Sequence, residues 1–360
     1  MKRVFITDCE GPISKNDNAY ELTAHFVPDG DRLFALISKY DDVLADVVKK
    51  TGYNAGDTLK LILPFLKAYD VTDRKMEEFS AQNLLLIAGT KETLKHITGL
   101  AEAFIVSTSY EHYIRALCEC VGFPFENTYC TRLSIDKYNL TEHEKAELKA
   151  IAKEIAAMPM ITIPSGAKSL KDFSSQDQAT VKRLDEVFWR EIPAMCCGKI
   201  LSEVVTVGGE QKVQAIRDIA KKLHLPLSNV MYVGDSITDV QAFRLVREGG
   251  GLAVSFNGNS YAVNNAEVSV MSENNIVTAV IADVFLNHGK TQTLKMLESW
   301  TPESLRNSLA NPSLLNRFFA LFPNALPKVQ IVTQANMESL SKESSEFRKK
   351  VRGEAVGKLG

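Results

Sequence analysis

The sequence predicts an α/β fold in which a parallel sheet is covered on both faces and carries helical insertions. Three observations lead there. Short apolar runs recur along the chain and alternate with stretches whose apolar residues fall at helical spacing, the pattern of a parallel sheet with helical crossovers. Two of the runs end in paired carboxylates, in Phe5-Ile6-Thr7-Asp8-Cys9-Glu10-Gly11-Pro12 and in Val230-Met231-Tyr232-Val233-Gly234-Asp235-Ser236-Ile237-Thr238-Asp239. An all-helical stretch separates the first run from the next.

Residues 2–8 read as the first buried strand. Leu33, Leu36, Ile37, Tyr40, Val43 and Leu44 then recur at helical spacing, as do Leu59, Ile62, Leu63 and Leu66, so the region from about 17 to 98 is mostly helical. Thr72 and Asp73 are expected caps within it. Ala103-Phe104-Ile105-Val106 is the next strand, ending in Ser107-Thr108-Ser109, and a helix follows to about Cys120. A strand is expected within 128–135, and Thr141-Glu142-His143-Glu144 has the form of a capping box opening a helix to about Met158. Residues 159–175 read as a loop and 176–191 as a helix.

Gly208-Gly209 breaks the chain before a helix carrying Val213, Ile216 and Ile219. Strands are expected at 229–234, 252–256 and 267–270. Beyond about residue 290, leucines and phenylalanines divided by Pro302, Pro312, Pro323 and Pro327 predict further helices. Ser339 to Gly360, charged and serine-rich, reads as a solvated helix or frayed tail.

The bulk numbers exclude several functions. With 42 basic and 44 acidic residues the net charge is −2, so no strong field draws the chain to nucleic acid or an anionic membrane. No apolar run approaches the ~20 residues a membrane helix needs, and the basic start Met1-Lys2-Arg3 is followed within a few residues by Asp8 rather than by a signal-peptide core. The expectation is a cytoplasmic protein. Cys9, Cys118, Cys120, Cys130, Cys196 and Cys197 match no zinc or iron–sulfur spacing and read as reduced thiols. Cys9 is expected to face away from Asp8 and Glu10, because neighbouring strand residues face opposite sides.

Carboxylates at two strand tips suggest a magnesium-assisted phosphoryl-transfer site, since open α/β sheets bind ligands at those tips. Asp8 is the candidate nucleophile, and Mg²⁺ with hard oxygen ligands would offset the repulsion between acids and substrate. Asp235 is the natural second ligand, and Asp239, one helical turn on, can bind the metal or orient its waters. Glu10, two residues past Asp8 on an extended chain, is placed to protonate a leaving oxygen and then activate water. Ser107 and the backbone N–H groups after it, including that of Thr108, suit phosphoryl oxygens. Lys212, near the start of its helix, could pair with Asp8 and phosphate, with Lys199 a rival. Taken singly these residues have blander readings: an Asp after a strand is commonly a helix cap, and a lone Lys is commonly solvated. Their joint occurrence in order is what favours a site.

Those elements resemble the haloacid dehalogenase (HAD) superfamily, in its phosphoserine-phosphatase-like branch. Asp8-Cys9-Glu10-Gly11-Pro12-Ile13 is similar to the first family motif, usually Asp-x-Asp-Gly-Thr-Leu or Val; Ile105 to Ser109 is similar to the second; Lys212 to the third; Gly234 to Asp239 to the fourth. The first motif also resembles that of archaeal members labelled as subunit R of energy-converting hydrogenase A. The resemblance implies a Rossmann-like HAD core at 1–15 and 85–289, a helical C1-type cap at 16–84, a second helical insert at 136–200 and a C-terminal helical extension at 290–360. It implies that Asp8 is nucleophile and magnesium ligand, that Glu10 is the acid/base and lends its carbonyl to the metal, that Ser107 and Lys212 hold phosphate, and that Asp235 completes the metal site with Asp239 in support. Two departures stand out: Glu10 replaces the second aspartate, and Pro12 removes a backbone donor. The expected activity is Mg²⁺-dependent hydrolysis of a small phosphorylated metabolite through an aspartyl-phosphate. The rival readings are a HAD-fold subunit with little turnover, docking a protein partner or a second copy through its C-terminal helices, and phosphotransfer in place of hydrolysis.

Overall fold

The computed structural model describes residues 2–359. Its strands are β1 (Val4–Thr7), β2 (Glu102–Tyr110), β3 (Thr128–Thr131), β4 (Val230–Gly234), β5 (Leu252–Phe256), β6 (Val268–Met271) and β7 (Lys328–Ile331). They form one sheet in the order β3-β2-β1-β4-β5-β6-β7. All neighbours are parallel except β6 and β7. The chain therefore leaves β1 to one side for β2 and β3, then crosses to the other side for β4, which puts the switch point of the sheet at β1.

Alternation along the central strands feeds two cores. Val4, Ile6, Val230 and Tyr232 pack on one face with the helices Glu210–Lys222 and Val240–Glu248. Phe5, Met231 and Val233 pack on the other with Thr90–Thr98, Glu111–Val121 and the largely buried, mostly apolar Ile276–His288. Burial on both faces is why these strands read as continuous apolar runs. Cys9 belongs to the second core, with Phe5, as the two-residue period requires.

A third cluster unites the two inserted regions. Leu22, Leu33, Ile37, Leu61 and Leu66, from the helices within 18–68, pack with Leu148, Ile155, Val181, Leu184 and Phe188, from those within 142–191. The helix Glu142–Ala157 opens with the expected capping box of Thr141 and Glu144, and Thr72 caps Asp73–Gln82. The helix starting at Ser175 continues through a wider turn to Glu191.

Two expectations need correction. β7 was not anticipated among the C-terminal helices: Lys328–Ile331 follows Pro327 and is only four residues long, and its partner β6 supplies the pairing. The last stretch is not solvated or frayed. Met337–Arg352 is a helix whose Leu340, Ser344 and Arg348, one turn apart, are buried against Met271, Gly258 and Asp235 respectively. Among the described residues, no helix is long and apolar enough to cross a membrane.

Candidate active site

The register of the sheet assembles the site. Thr7 is paired with Ile105 of β2 and with Val233 of β4, so the next residue, Asp8, leaves β1 between the ends that lead to Ser107 and Asp235. The Asp8 N–H donates to Val233 O at 2.8 Å, extending the β1–β4 ladder by one residue. Asp8, Asp235 and Asp239 are all buried, and each offers an oxygen within 4.8 Å of the others.

Lys212 binds this cluster from beneath. It is fully buried, and its Nζ donates to Asp8 Oδ2 at 2.6 Å and to Asp239 Oδ1 at 2.7 Å. Burial works against its charge, but Asp239 and Asp8 outweigh that and hold its pKa above the ordinary lysine value. Gly208-Gly209 allows this placement. Gly209 has φ +48°, and a Cβ on Gly208 would meet Ala55 O at 2.2 Å, so the loop opening the lysine helix packs against the inserted helices. Lys199, the rival, is exposed and takes no part.

Asp239 is saturated. Its Oδ1 also accepts from Tyr232 Oη at 2.6 Å, and its Oδ2 accepts from the N–H groups of Asp235 at 2.8 Å and Ser236 at 3.0 Å. It therefore fixes Lys212 and the loop carrying Asp235.

Burial raises the Asp8 pKa to about 6, with Lys212 opposing the rise and Asp239 adding to it. Its Oδ1 accepts from Cys9 N–H at 2.6 Å. Glu10 lies in the same cavity but outside the cluster of three aspartates. Burial and then Asp17 push its carboxyl well above the usual range, and its Oε1 accepts from Asn18 N–H at 2.6 Å. Burial thus raises the pKa of both carboxyl groups of the motif, against the cation beside Asp8 and the backbone N–H at Glu10.

Ser107 is buried at the cavity wall, its hydroxyl 3.2 Å from that of Ser109. Thr108 lines the cavity too, but its hydroxyl donates to Val207 O at 3.1 Å. That side chain ties β2 to the Gly208 loop, which leaves only its backbone for a phosphate. The cavity, of about 90 Å³, has walls from the sheet, the helices within 18–68 and the C-terminal segment, including Phe34, Asp41 and Leu359.

Sequence reasoning missed the most consequential neighbours of Asp235. Arg348 and Arg352, one turn apart on Met337–Arg352, both donate to Asp235 Oδ2, Arg352 at 3.0 Å. The only signal was the Leu340, Ser344, Arg348, Arg352 spacing, which a polar composition hides. Gly11 packs on the other side of the same carboxylate. It has φ +105°, and a Cβ there would fall 2.1 Å from Asp235 Oδ2.

The donor set fits a magnesium ion. Its members are hard carboxylate oxygens, they converge, and Gly11 keeps side-chain atoms away from Asp235. Asp8 and Asp235, whose oxygens are not saturated as those of Asp239 are, are the residues that would hold it.

Such a doubly wound sheet, with acids and a buried lysine at its switch point, defines a class. The sequence pattern of the haloacid dehalogenase-like hydrolases matches residues 91–283, more than half of the chain. The chain belongs to that family. It is similar over its whole length to a gene product of Archaeoglobus fulgidus of known structure, at 26% identity and a TM-score of 0.81, covering 100% of this chain and 99% of that one. The likeness therefore extends beyond the family-matched residues 91–283 to both ends of the chain. A substrate-bound phosphoserine phosphatase is more distant, at 14% identity and a TM-score of 0.45 over 76% of this chain and 95% of its own. No curated protein matches the sequence.

Proposed function

We propose that this hydrolase is a Mg²⁺-dependent phosphatase that cleaves a small phosphorylated metabolite through an aspartyl-phosphate on Asp8. The observation that carries the reading is the buried triad of Asp8, Lys212 and Asp239 facing Asp235 across the switch point. A divalent ion held by Asp8 and Asp235 would offset negative charge on the transferring phosphoryl group.

Ionised at neutral pH, Asp8 attacks phosphorus while the ester P–O bond breaks. Glu10 gives its proton to the departing oxygen. The resulting Glu10 carboxylate takes a proton from water, whose oxygen attacks the phosphorus and breaks the Asp8 Oδ–P bond, releasing phosphate and restoring both acids. Lys212 holds Asp8 in place, and the Ser107 hydroxyl donates to a phosphoryl oxygen.

A second reading, a subunit with little turnover, is favoured by Arg348 and Arg352 sitting on Asp235 Oδ2. Release of p-nitrophenol or phosphate from a panel of phosphate monoesters, with and without Mg²⁺, separates the two. The phosphatase reading expects Mg²⁺-dependent release that Asp8→Asn abolishes, with a phosphoryl group trappable on the wild-type chain. Metal-independent release, or equal rates in Asp8→Asn, would sink it.

A further inference from the structure

Met337–Arg352 lies beyond the family-matched residues, yet it brings two guanidinium groups to a predicted metal ligand. Asp8, Asp235 and Asp239 are ion-paired with Lys212, Arg348 and Arg352, and Glu10 and Asp17 line the same cavity.

The two arginines are not equivalent. All three nitrogens of Arg352 are engaged: besides Nη1 on Asp235, its Nε donates to Lys15 O at 3.0 Å and its Nη2 to Asn16 O. Arg348 is 2% exposed and lines the cavity shared with Asp8 and Ser107. Its Nε–H has no acceptor, and its contacts to Asp235 O and Leu359 O are long, at 3.4 Å each. A buried guanidinium N–H without an acceptor is costly, and phosphate oxygens are the acceptors that its fork suits.

Resting on the phosphatase reading above, we propose that Arg348 is a substrate-binding residue for the phosphate dianion and serves as counter-ion to Asp235 until a divalent ion arrives. Metal on Asp235 releases the guanidinium to the phosphate, so metal and phosphate each strengthen the other's binding. The helix Met337–Arg352 is fixed for this task by Ser344 Oγ donating to Gly258 O at 2.6 Å and Ser341 Oγ to Asn264 Oδ1 at 2.8 Å.

Calorimetric titration of the metal-free, full-length protein tests this with Mg²⁺ alone, inorganic phosphate alone, and phosphate in saturating Mg²⁺. In the wild type, Mg²⁺ should tighten phosphate binding about tenfold, the scale of one charge-assisted hydrogen bond. Arg348→Gln should bind Mg²⁺ alone about tenfold more tightly, because its competitor is gone, and phosphate about tenfold more weakly. Arg348→Lys should fall between. Opposite signs for the two ligands are the signature, since a merely structural role would weaken both. If Arg348→Gln does not fold by circular dichroism, amide exchange in the wild type decides: Mg²⁺ should speed exchange over residues 344–359, and phosphate added with it should slow exchange again. Mg²⁺ binding by the wild type that Arg348→Gln leaves unchanged or weakens, or exchange indifferent to Mg²⁺, overturns this inference alone. No Mg²⁺ binding by the wild type overturns it together with the metal-dependent reading.

Discussion

Replacing Lys212 with methionine keeps most of the side chain's bulk and deletes its charge. The ammonium is fully buried, 2.6 Å from Asp8 and 2.7 Å from Asp239. Removing one partner of a buried pair leaves an uncompensated charge and costs about 3–5 kcal/mol. Asp239 keeps its hydrogen bonds from Tyr232, Asp235 and Ser236, so it remains solvated by the protein. Asp8 keeps only the Cys9 N–H among the contacts at its carboxylate. The loss therefore falls mainly on Asp8, and the lower end, about 3 kcal/mol, is expected. The pH dependence follows from the same group. Burial already raises the Asp8 pKa from 3.8 to about 6 with Lys212 opposing, so the variant's value rises further. A carboxyl whose folded pKa exceeds its unfolded one contributes stability that is full below the unfolded value and is lost as pH rises through the folded value. The deficit of Lys212→Met should thus be smaller near pH 5 than near pH 8. Urea denaturation of both proteins in chelator at the two pH values measures it. A loss below about 1 kcal/mol, the range of an exposed ion pair, or a deficit that is larger in acid, would refute the reasoning.

Two further substitutions probe the walls of the site. Gly11→Ala places a methyl group against Asp235 Oδ2 at a backbone angle of φ +105°, so it should weaken Mg²⁺ binding by tenfold or more and lower the melting temperature; unchanged calorimetry would contradict the packing described. Asp41, which accepts from Tyr53 Oη and Gly56 N–H, has its pKa raised from 3.8 to about 7 by burial against those hydrogen bonds. Its contribution to stability is full below the unfolded pKa and falls as pH rises through about 7, by as much as about 4 kcal/mol. Asp41→Asn should flatten the stability profile between pH 5 and 8, whereas profiles that run parallel would show that Asp41 does not titrate there.

What could be read directly from the chain was local chemistry. A strand ending in Asp8-Cys9-Glu10-Gly11 and another ending in Gly234-Asp235 announce themselves, because the apolar run and the polar tip are contiguous. The capping box at Thr141 and Glu144 is local for the same reason, its hydrogen bonds spanning three residues. β7 was hidden, since four residues after Pro327 have no strand signal until β6 lies beside them.

The choice between Lys212 and Lys199 also had to wait for folding, for both follow unremarkable sequence and only one is carried under Asp8 by the crossover to β4. The role of Arg348 and Arg352 is the extreme case. Their helix is charged enough to read as solvated, but residues 340, 344, 348 and 352 form one inward stripe, and its two arginines reach Asp235, 113 residues from Arg348 in sequence. The sequence by itself determined six of the sheet's seven strands and the acids at the tips of two of them, because side-chain period and strand ends are properties of neighbouring residues. Only the tertiary structure decided which cations meet those acids, because a buried charge finds its partner through space, and burial turns that partnership into a strong constraint.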